Sequence, residues 1–374
     1  MGLSKTRLFC LTMSAVMNSI HQFVAGFSNG DAISNEALVM RRLFRSWGFR
    51  SEIFSESKRI LPELRKQAHD VAQFPATAKQ EDIVLLHLSI GSVVNELFAA
   101  LPCRKAILYH NATPAHYFEL INNKTARHLT GGRAQIKSLS NAATVNIADS
   151  RFNANELEEL GYKDVKVLPL LLDIEKLREQ PDRKILRKFK NNQVNILFVG
   201  RCAPNKRIED ALKAFYYFHK FVEPNSRFIH VGSFAGTERY YYLLRTQTRE
   251  LGIDGAVHFS GSVPQSQLNA FYECAQLFLC MSEHEGFCIP VLESMVHDVP
   301  VLAYAAAAVP EIMDGAGVLF HDKRFDMISE MMGRMVRDNG FRSAIINGQQ
   351  ERLARYTRRD LALELKQHLA PLLG

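Results

Sequence analysis

Short, almost continuously apolar runs recur along this sequence, each followed by a stretch with helical spacing. The first half carries them at residues 20–24, 52–54, 83–86, 106–109, 145–148 and 165–168. The second half repeats them at 196–199, 228–231, 257–259, 277–280, 301–303 and 318–320. A strand with one wet face alternates apolar and polar residues, whereas an unbroken apolar run needs cover on both faces. Runs of this kind separated by helices predict parallel sheets with helices packed on either side. The rhythm stops between 171 and 192, where residues 175–190 are dense in charge and lack a clean apolar face. That break predicts an α/β chain of two doubly wound, Rossmann-like domains, 1–173 and 174–352, each long enough to bury a full core. No motif repeats with a period of roughly 20–50 residues, which excludes a solenoid.

At the start, Lys5 and Arg7 precede a brief apolar run, as in a signal peptide. Thr12, Ser14, Asn18 and Ser19 interrupt that run, and no small-x-small site follows. Residues 20–24 then read as the first strand, and residues 1–16 as a poorly ordered terminus whose deletion should leave folding unchanged. Gly26, Asn29 and Gly30 make a glycine-bearing loop, and Asp31 opens a helix running to about Trp47, with Gly48 at its C-cap. His110-Asn111-Ala112-Thr113-Pro114 follows the run 106–109, at the strand end where open α/β sheets take ligands. Residues 120–148 hold Lys124, Arg127, Arg133 and Lys137 without an acid. This is a basic face suited to solvent, to an anionic acceptor or to lipid headgroups. The net charge of +7 is shared by both halves, so neither is a dedicated basic module and no nucleic acid partner is expected. Six cysteines without C-x-x-C spacing point to a reducing, cytoplasmic setting. No run approaches the roughly 20 apolar residues of a membrane span, so any contact with an anionic membrane should be peripheral, at its inner face.

The densest chemistry lies in Ser282-Glu283-His284-Glu285-Gly286-Phe287-Cys288-Ile289-Pro290-Val291-Leu292-Glu293, which leads from the run 277–280 into a helix. Pro290 suits a first helical position, where its missing N–H costs nothing. Glu285 then lies on the loop and Glu293 in the first turn, so both carboxylates can face one pocket. The free N–H groups of a helix start attract anions. Acceptors for hydroxyls beside an anion site suit a nucleotide sugar.

Glu-Gly-Phe-Cys-x-Pro-x-x-Glu resembles the signature of the retaining glycosyltransferases of family 4, which have the two-domain GT-B fold. Phe198-Val199-Gly200-Arg201 with Lys206 is similar to that family's phosphate-binding element. Residues 299–303 and Val309-Pro310-Glu311 match the strand and turn that usually follow. The resemblance implies metal-independent transfer of a hexose from a UDP-sugar or GDP-sugar to a glycan or lipid-linked acceptor in surface polysaccharide synthesis. It implies that Arg201 and Lys206 hold the diphosphate, with Gly286 and Phe287 in the donor-binding loop and Gly30 in a loop against the phosphates. Glu285 would hold the sugar hydroxyls, Glu293 the ribose, and His110 would stand beside the donor sugar and acceptor. It also implies that residues 353–374 cross back onto the first domain. Cys288 is more often Gly in that family and is given no role. Leu170-Leu171-Leu172-Asp173 departs from the usual Asn-Gly before the aspartate, so no contact is carried over there.

Departure of a nucleoside diphosphate builds negative charge on phosphate and positive charge at the anomeric carbon, so charge stabilisation dominates the chemistry. Arg201 can fork onto phosphate oxygens while Lys206 supplies a point charge. Retaining glycosidases need carboxylates on both sides of the scissile bond. Glu285 and Glu293 come from one loop–helix element and are assigned to binding, with catalysis assigned to His110 and Glu285. The chain contains no Asp-x-Asp, so neither a metal nor another cofactor is expected. A sugar-nucleotide epimerase of the same architecture remains open, as does a non-catalytic nucleotide-binding or membrane-docking protein. Arg201, Lys206, Glu285 and Glu293 occurring together argue against the latter.

Overall fold

The computed structural model describes residues 18–373, and the expectation for residues 1–16 lies outside them. The first sheet is formed by β1 (Ile20–Val24), β2 (Ile53–Ser55), β3 (His69–Asp70), β4 (Ile83–Leu88), β5 (Arg104–Tyr109), β6 (Val145–Ala148) and β7 (Lys166–Val167). Their order is β3-β2-β1-β4-β5-β6-β7. The second sheet uses β8 (Val194–Val199), β9 (Ser226–Val231), β10 (Val257–Gly261), β11 (Leu277–Cys280), β12 (Val301–Tyr304) and β13 (Val318–Phe320), in the order β10-β9-β8-β11-β12-β13. Pairing is parallel throughout both sheets.

This is the pair of Rossmann-like sheets expected from unbroken apolar runs. β4 and β11 are buried at every residue, as strands covered on both faces must be. β3 was not foreseen, because two residues, one of them exposed, leave no apolar run to read. In each sheet the chain winds outward, returns to the middle and winds the other way. The reversal falls between β1 and β4 in the first sheet and between β8 and β11 in the second. Loops leaving the carboxyl ends at such a reversal diverge and open a crevice.

The connections obey local rules. Helix Ala32–Ser46 begins at Asp31, whose carboxylate accepts the Ser34 N–H at 2.9 Å. The charged interval between the sheets becomes two short helices, Ile174–Leu177 and Arg183–Phe189. Three adjacent tyrosines cannot share one face of a helix. In helix Glu238–Glu250, Tyr240 is accordingly buried while Tyr242 is exposed.

Helix Asn339–Thr357 packs Ile345, Leu353 and Tyr356 into the second domain's core. The segment that returns is helix Leu361–Leu373, so the crossing begins near Arg358, several residues beyond 353. Leu365, Leu369 and Leu372 sit among Ile20, Met40, Phe44, Ile83 and Leu108 of the first domain. Burial of each such leucine is worth roughly 1.5–3 kcal/mol. At the two crossings, the Tyr356 hydroxyl donates to Leu170 O, and Arg42 pairs with Asp173 at 3.1 Å.

Candidate active site

β8 ends at Val199, and the turn beyond it meets the loop that leaves β11. The Asn205 side-chain amide donates to His284 O at 3.0 Å, and the Glu283 N–H donates to Asn205 O at 2.9 Å. These bonds set Lys206 Nζ 2.5 Å from Glu285 Oε2, with both side chains largely buried. Burial alone would lower the lysine's proton affinity. The Glu285 carboxylate outweighs it and holds the ammonium above its ordinary range. Arg201 lies on the same rim with its side chain exposed, touching Ala235 O at 3.5 Å. Lys206 and Glu285, far apart in sequence, thus meet at the reversal point of the second sheet, while the Arg201 side chain leans toward the loop after β9.

Helix Ile289–Val296 starts behind this loop, with Pro290 at its second residue. Cys288 is the N-cap and has φ +71, a left-handed conformation that favours glycine. That geometry explains why glycine suits this position, and the thiol itself is buried. Glu293 faces inward: its Oε2 accepts the Tyr272 hydroxyl at 2.7 Å. Burial, against the smaller effect of that bond, pushes its carboxyl up to about 7. Tyr272 stacks on His297 with ring centroids 5.1 Å apart. Nothing in the spacing of helix Gln265–Cys274 marked Tyr272 as part of the site. Phe287 is buried in the second domain's core and gives the loop its anchor.

Gly286 is where the domains touch. A Cβ there would lie 2.6 Å from Asn111 Cβ, 2.8 Å from His110 O and 2.9 Å from Asn153 Nδ2. Its carbonyl accepts the Ser150 hydroxyl at 2.6 Å. Glu311 adds a second contact: its carboxylate accepts the N–H of Arg151 at 2.8 Å and of Phe152 at 3.3 Å. An acid of the second domain therefore satisfies free N–H groups at the start of helix Arg151–Glu159 in the first. Gly30, by contrast, has open space around it but φ +71, so conformation and not room demands glycine.

His110 turns its carbonyl toward Gly286 and its ring inward, leaving 3% of the side chain exposed. The ring is 3.0 Å from His87 Nδ1, 3.5 Å from Asp149 Oδ2 and 3.7 Å from Glu36 Oε2. Asp31, next to Gly30, adds a smaller upward pull on the proton affinity of His110. Gln22, Glu36, His87 and Asp149 were not singled out in the sequence. A usable signal existed for two of them, since Gln22 and His87 are polar residues inside apolar runs and a buried polar group needs a partner.

Residues 179–367 match the family described as glycosyl transferases group 1, a span covering half of the chain. The chain belongs to the glycosyl transferases group 1 family. Among curated relatives, the O-antigen chain mannosyltransferase B of Escherichia coli is 29% identical over 149 residues, 39% of this chain and 38% of that protein. The GDP-mannose:cellobiosyl-diphosphopolyprenol alpha-mannosyltransferase of Xanthomonas oryzae pv. oryzae is 29% identical over 159 residues, 39% of either chain. The match thus spans about two fifths of these relatives. Among solved structures, Anabaena HepE in complex with UDP-glucose superposes with a TM-score of 0.72 at 17% identity, covering 95% of this chain and 99% of that one. The likeness in shape extends over both domains and identifies the GT-B fold.

Proposed function

We propose that this group 1 protein is a retaining glycosyltransferase. It moves a hexose from a UDP-sugar or GDP-sugar to a glycan or lipid-linked acceptor, without a metal, at the cytoplasmic side of surface polysaccharide synthesis. The observation that carries the reading is the Lys206–Glu285 pair, on the turn that also carries Arg201, across from the His110 carbonyl at Gly286. Arg201 and Lys206 take the diphosphate as it gains charge. Glu285 turns from Lys206 to the sugar hydroxyls, Tyr272 steadies Glu293 for the ribose, and the Gly30 loop closes on the phosphates. Arg201 and Lys206 supply the positive charge that an Asp-x-Asp-bound cation would otherwise bring.

The Xanthomonas relative is named for GDP-mannose, which makes GDP-mannose the first donor to test. The experiment is a thermal-shift panel of nucleotides and nucleotide sugars, followed by an assay of diphosphate release. Stabilisation by GDP or UDP, with release only when an acceptor is added, is the expected result. Donor turnover to an isomer without any acceptor would instead mark an epimerase. No shift with any nucleotide would overturn the reading.

A lipid-linked acceptor is supported by helix Asn123–Ser138, whose Lys124, Arg127 and Lys137 are exposed beside Leu120, 83% exposed. Arg133 is committed to Glu156 at 2.5 Å. No helix among the described residues is long and apolar enough to cross a membrane. Sedimentation with vesicles containing anionic lipid, lost on replacing these three exposed cations, would test the peripheral contact.

A further inference from the structure

The buried chain from Gln22 through His87 to His110 has one consistent direction, and it reaches the proposed reaction site. The Gln22 side-chain N–H donates to Ala37 O at 2.9 Å. Its carbonyl oxygen is therefore the end facing His87 Nε2, at 2.9 Å, and an amide oxygen only accepts. His87 must carry its proton on Nε2. His87 is wholly buried, and burial together with the neighbouring His110 keeps it well below the ordinary histidine range, so Nδ1 is bare. That bare Nδ1 lies 3.0 Å from His110 Nε2, which must then be the donor.

The other His110 nitrogen faces Asp149 Oδ2 at 3.5 Å. Asp149 accepts from Asn153 Nδ2 at 2.6 Å through its other oxygen. Glu36 Oε2, 3.7 Å from His110 Nε2, has no hydrogen-bond partner among the described residues, while Glu36 Oε1 accepts the Leu171 N–H at 3.0 Å. The titratable groups facing His110 are thus His87 from β4, Glu36 from helix Ala32–Ser46, Asp149 beyond β6, and Asp31 at the helix start. Burial would strip the ring of its second proton, but the Asp149 contact and these carboxylates outweigh burial.

The same atoms resemble a cation site, since Glu36 Oε2, His87 Nδ1 and His110 Nε2 lie within 4.8 Å of one another. Their directions rule it out. The two rings are within 6° of parallel, with centroids 5.2 Å apart and facing nitrogens 3.0 Å apart, so they meet nose to nose. A cation on that line would sit at half the 3.0 Å separation, well inside the roughly 2.0–2.1 Å of a zinc–imidazole bond.

We infer that Gln22 and His87 act as positioning residues that hold His110 as a doubly protonated imidazolium. Its Nε2–H donates to His87 and its Nδ1 faces Asp149 Oδ2, away from any space a substrate could enter, so the ring neither gives nor takes a proton during transfer. It supplies a fixed positive charge and anchors the main-chain carbonyl that faces Gly286.

The catalytic part of this inference rests on the proposed transferase activity; the protonation part does not. The test is nitrogen-15 NMR of histidine-labelled protein, with assignment from His87→Gln and His110→Gln. His110 should show two protonated ring nitrogens at neutral pH, and His87 a bare Nδ1. A bare Nε2 on His110, or a proton on His87 Nδ1, would overturn the assignment whatever the activity proves to be. In turnover assays, His87→Leu removes the acceptor and should move the alkaline limb of kcat to lower pH by about one unit, leaving diphosphate affinity unchanged. His87→Gln keeps an acceptor toward His110 and a donor toward Gln22, and should restore the wild-type profile. A Gln variant as impaired as the Leu variant, or a Leu profile overlying wild type, would show that His87 only fills space.

Discussion

Gly286→Ala tests whether the two domains work pressed together at this residue. The added methyl would meet three groups of the first domain at 2.6, 2.8 and 2.9 Å, where carbon atoms at rest stand about 3.5–4.0 Å apart. The loop and the facing wall must therefore part by roughly 1 Å, and overpacking of this kind costs about 1–3 kcal/mol. The strain lies between domains, so opening at the two crossings relieves it without unfolding either core. Converted at 1.36 kcal/mol per tenfold, the closed arrangement should lose between about fivefold and 150-fold in population. The assay is kcat/KM for the donor alongside the melting temperature. The expected result is a fall in kcat/KM within that range while Tm moves by less than about 2 °C, the lower edge of what 1 kcal/mol does to a domain of this size. Wild-type kcat/KM would refute the argument, and so would a Tm drop reflecting the whole strain with activity intact.

Arg201→Ala should weaken diphosphate binding by about 1.5–3 kcal/mol, the worth of a hydrogen bond to a charged group, and unchanged affinity by calorimetry would remove its role. Glu293 changes stability with a definite sign. Its carboxyl rises from 4.5 to about 7 on folding, so the folded state holds the proton more tightly and stability falls as pH rises from about 4.5 through about 7. Glu293→Gln should flatten that fall in denaturant titrations at pH 5 and 7.5, and identical slopes in both proteins would contradict it. Turnover should persist in excess chelator; its loss there and recovery with magnesium or manganese would show a metal requirement.

The strands were legible because burial on both faces forces a composition that survives without context. The runs at 277–280 and 301–303 return as β11 and β12 almost residue for residue. The loop 285–288 was equally plain, since an anion site beside carboxylates needs particular residues at fixed spacing. What could not be read is what three dimensions bring together. Gly286 has an ordinary backbone and is glycine because His110 and Asn111 stand in the way, a fact carried by another domain. Glu311 lies in a recognised turn, yet its partners are N–H groups 160 residues earlier. The His110 ring is defined by residues from β1, β4, the first helix and the end of β6, and no single stretch holds more than two of them.

The last helix has a consequence for how the chain acquires its shape. Leu365, Leu369 and Leu372 complete a core whose other members include Ile20, Met40, Ile83 and Leu108, near the opposite end of the sequence. During synthesis the first domain emerges before the second, and helix Ala32–Ser46 covers part of this sheet face through Met40 and Phe44, but the rest stays open until helix Leu361–Leu373 has left the ribosome. The domain made first is therefore the one finished last, and its uncovered leucine- and isoleucine-rich face is the surface on which nascent chains would stick to one another. Chaperone demand should track that interval, and it should grow when codons between 190 and 360 are slowed while the protein product stays the same.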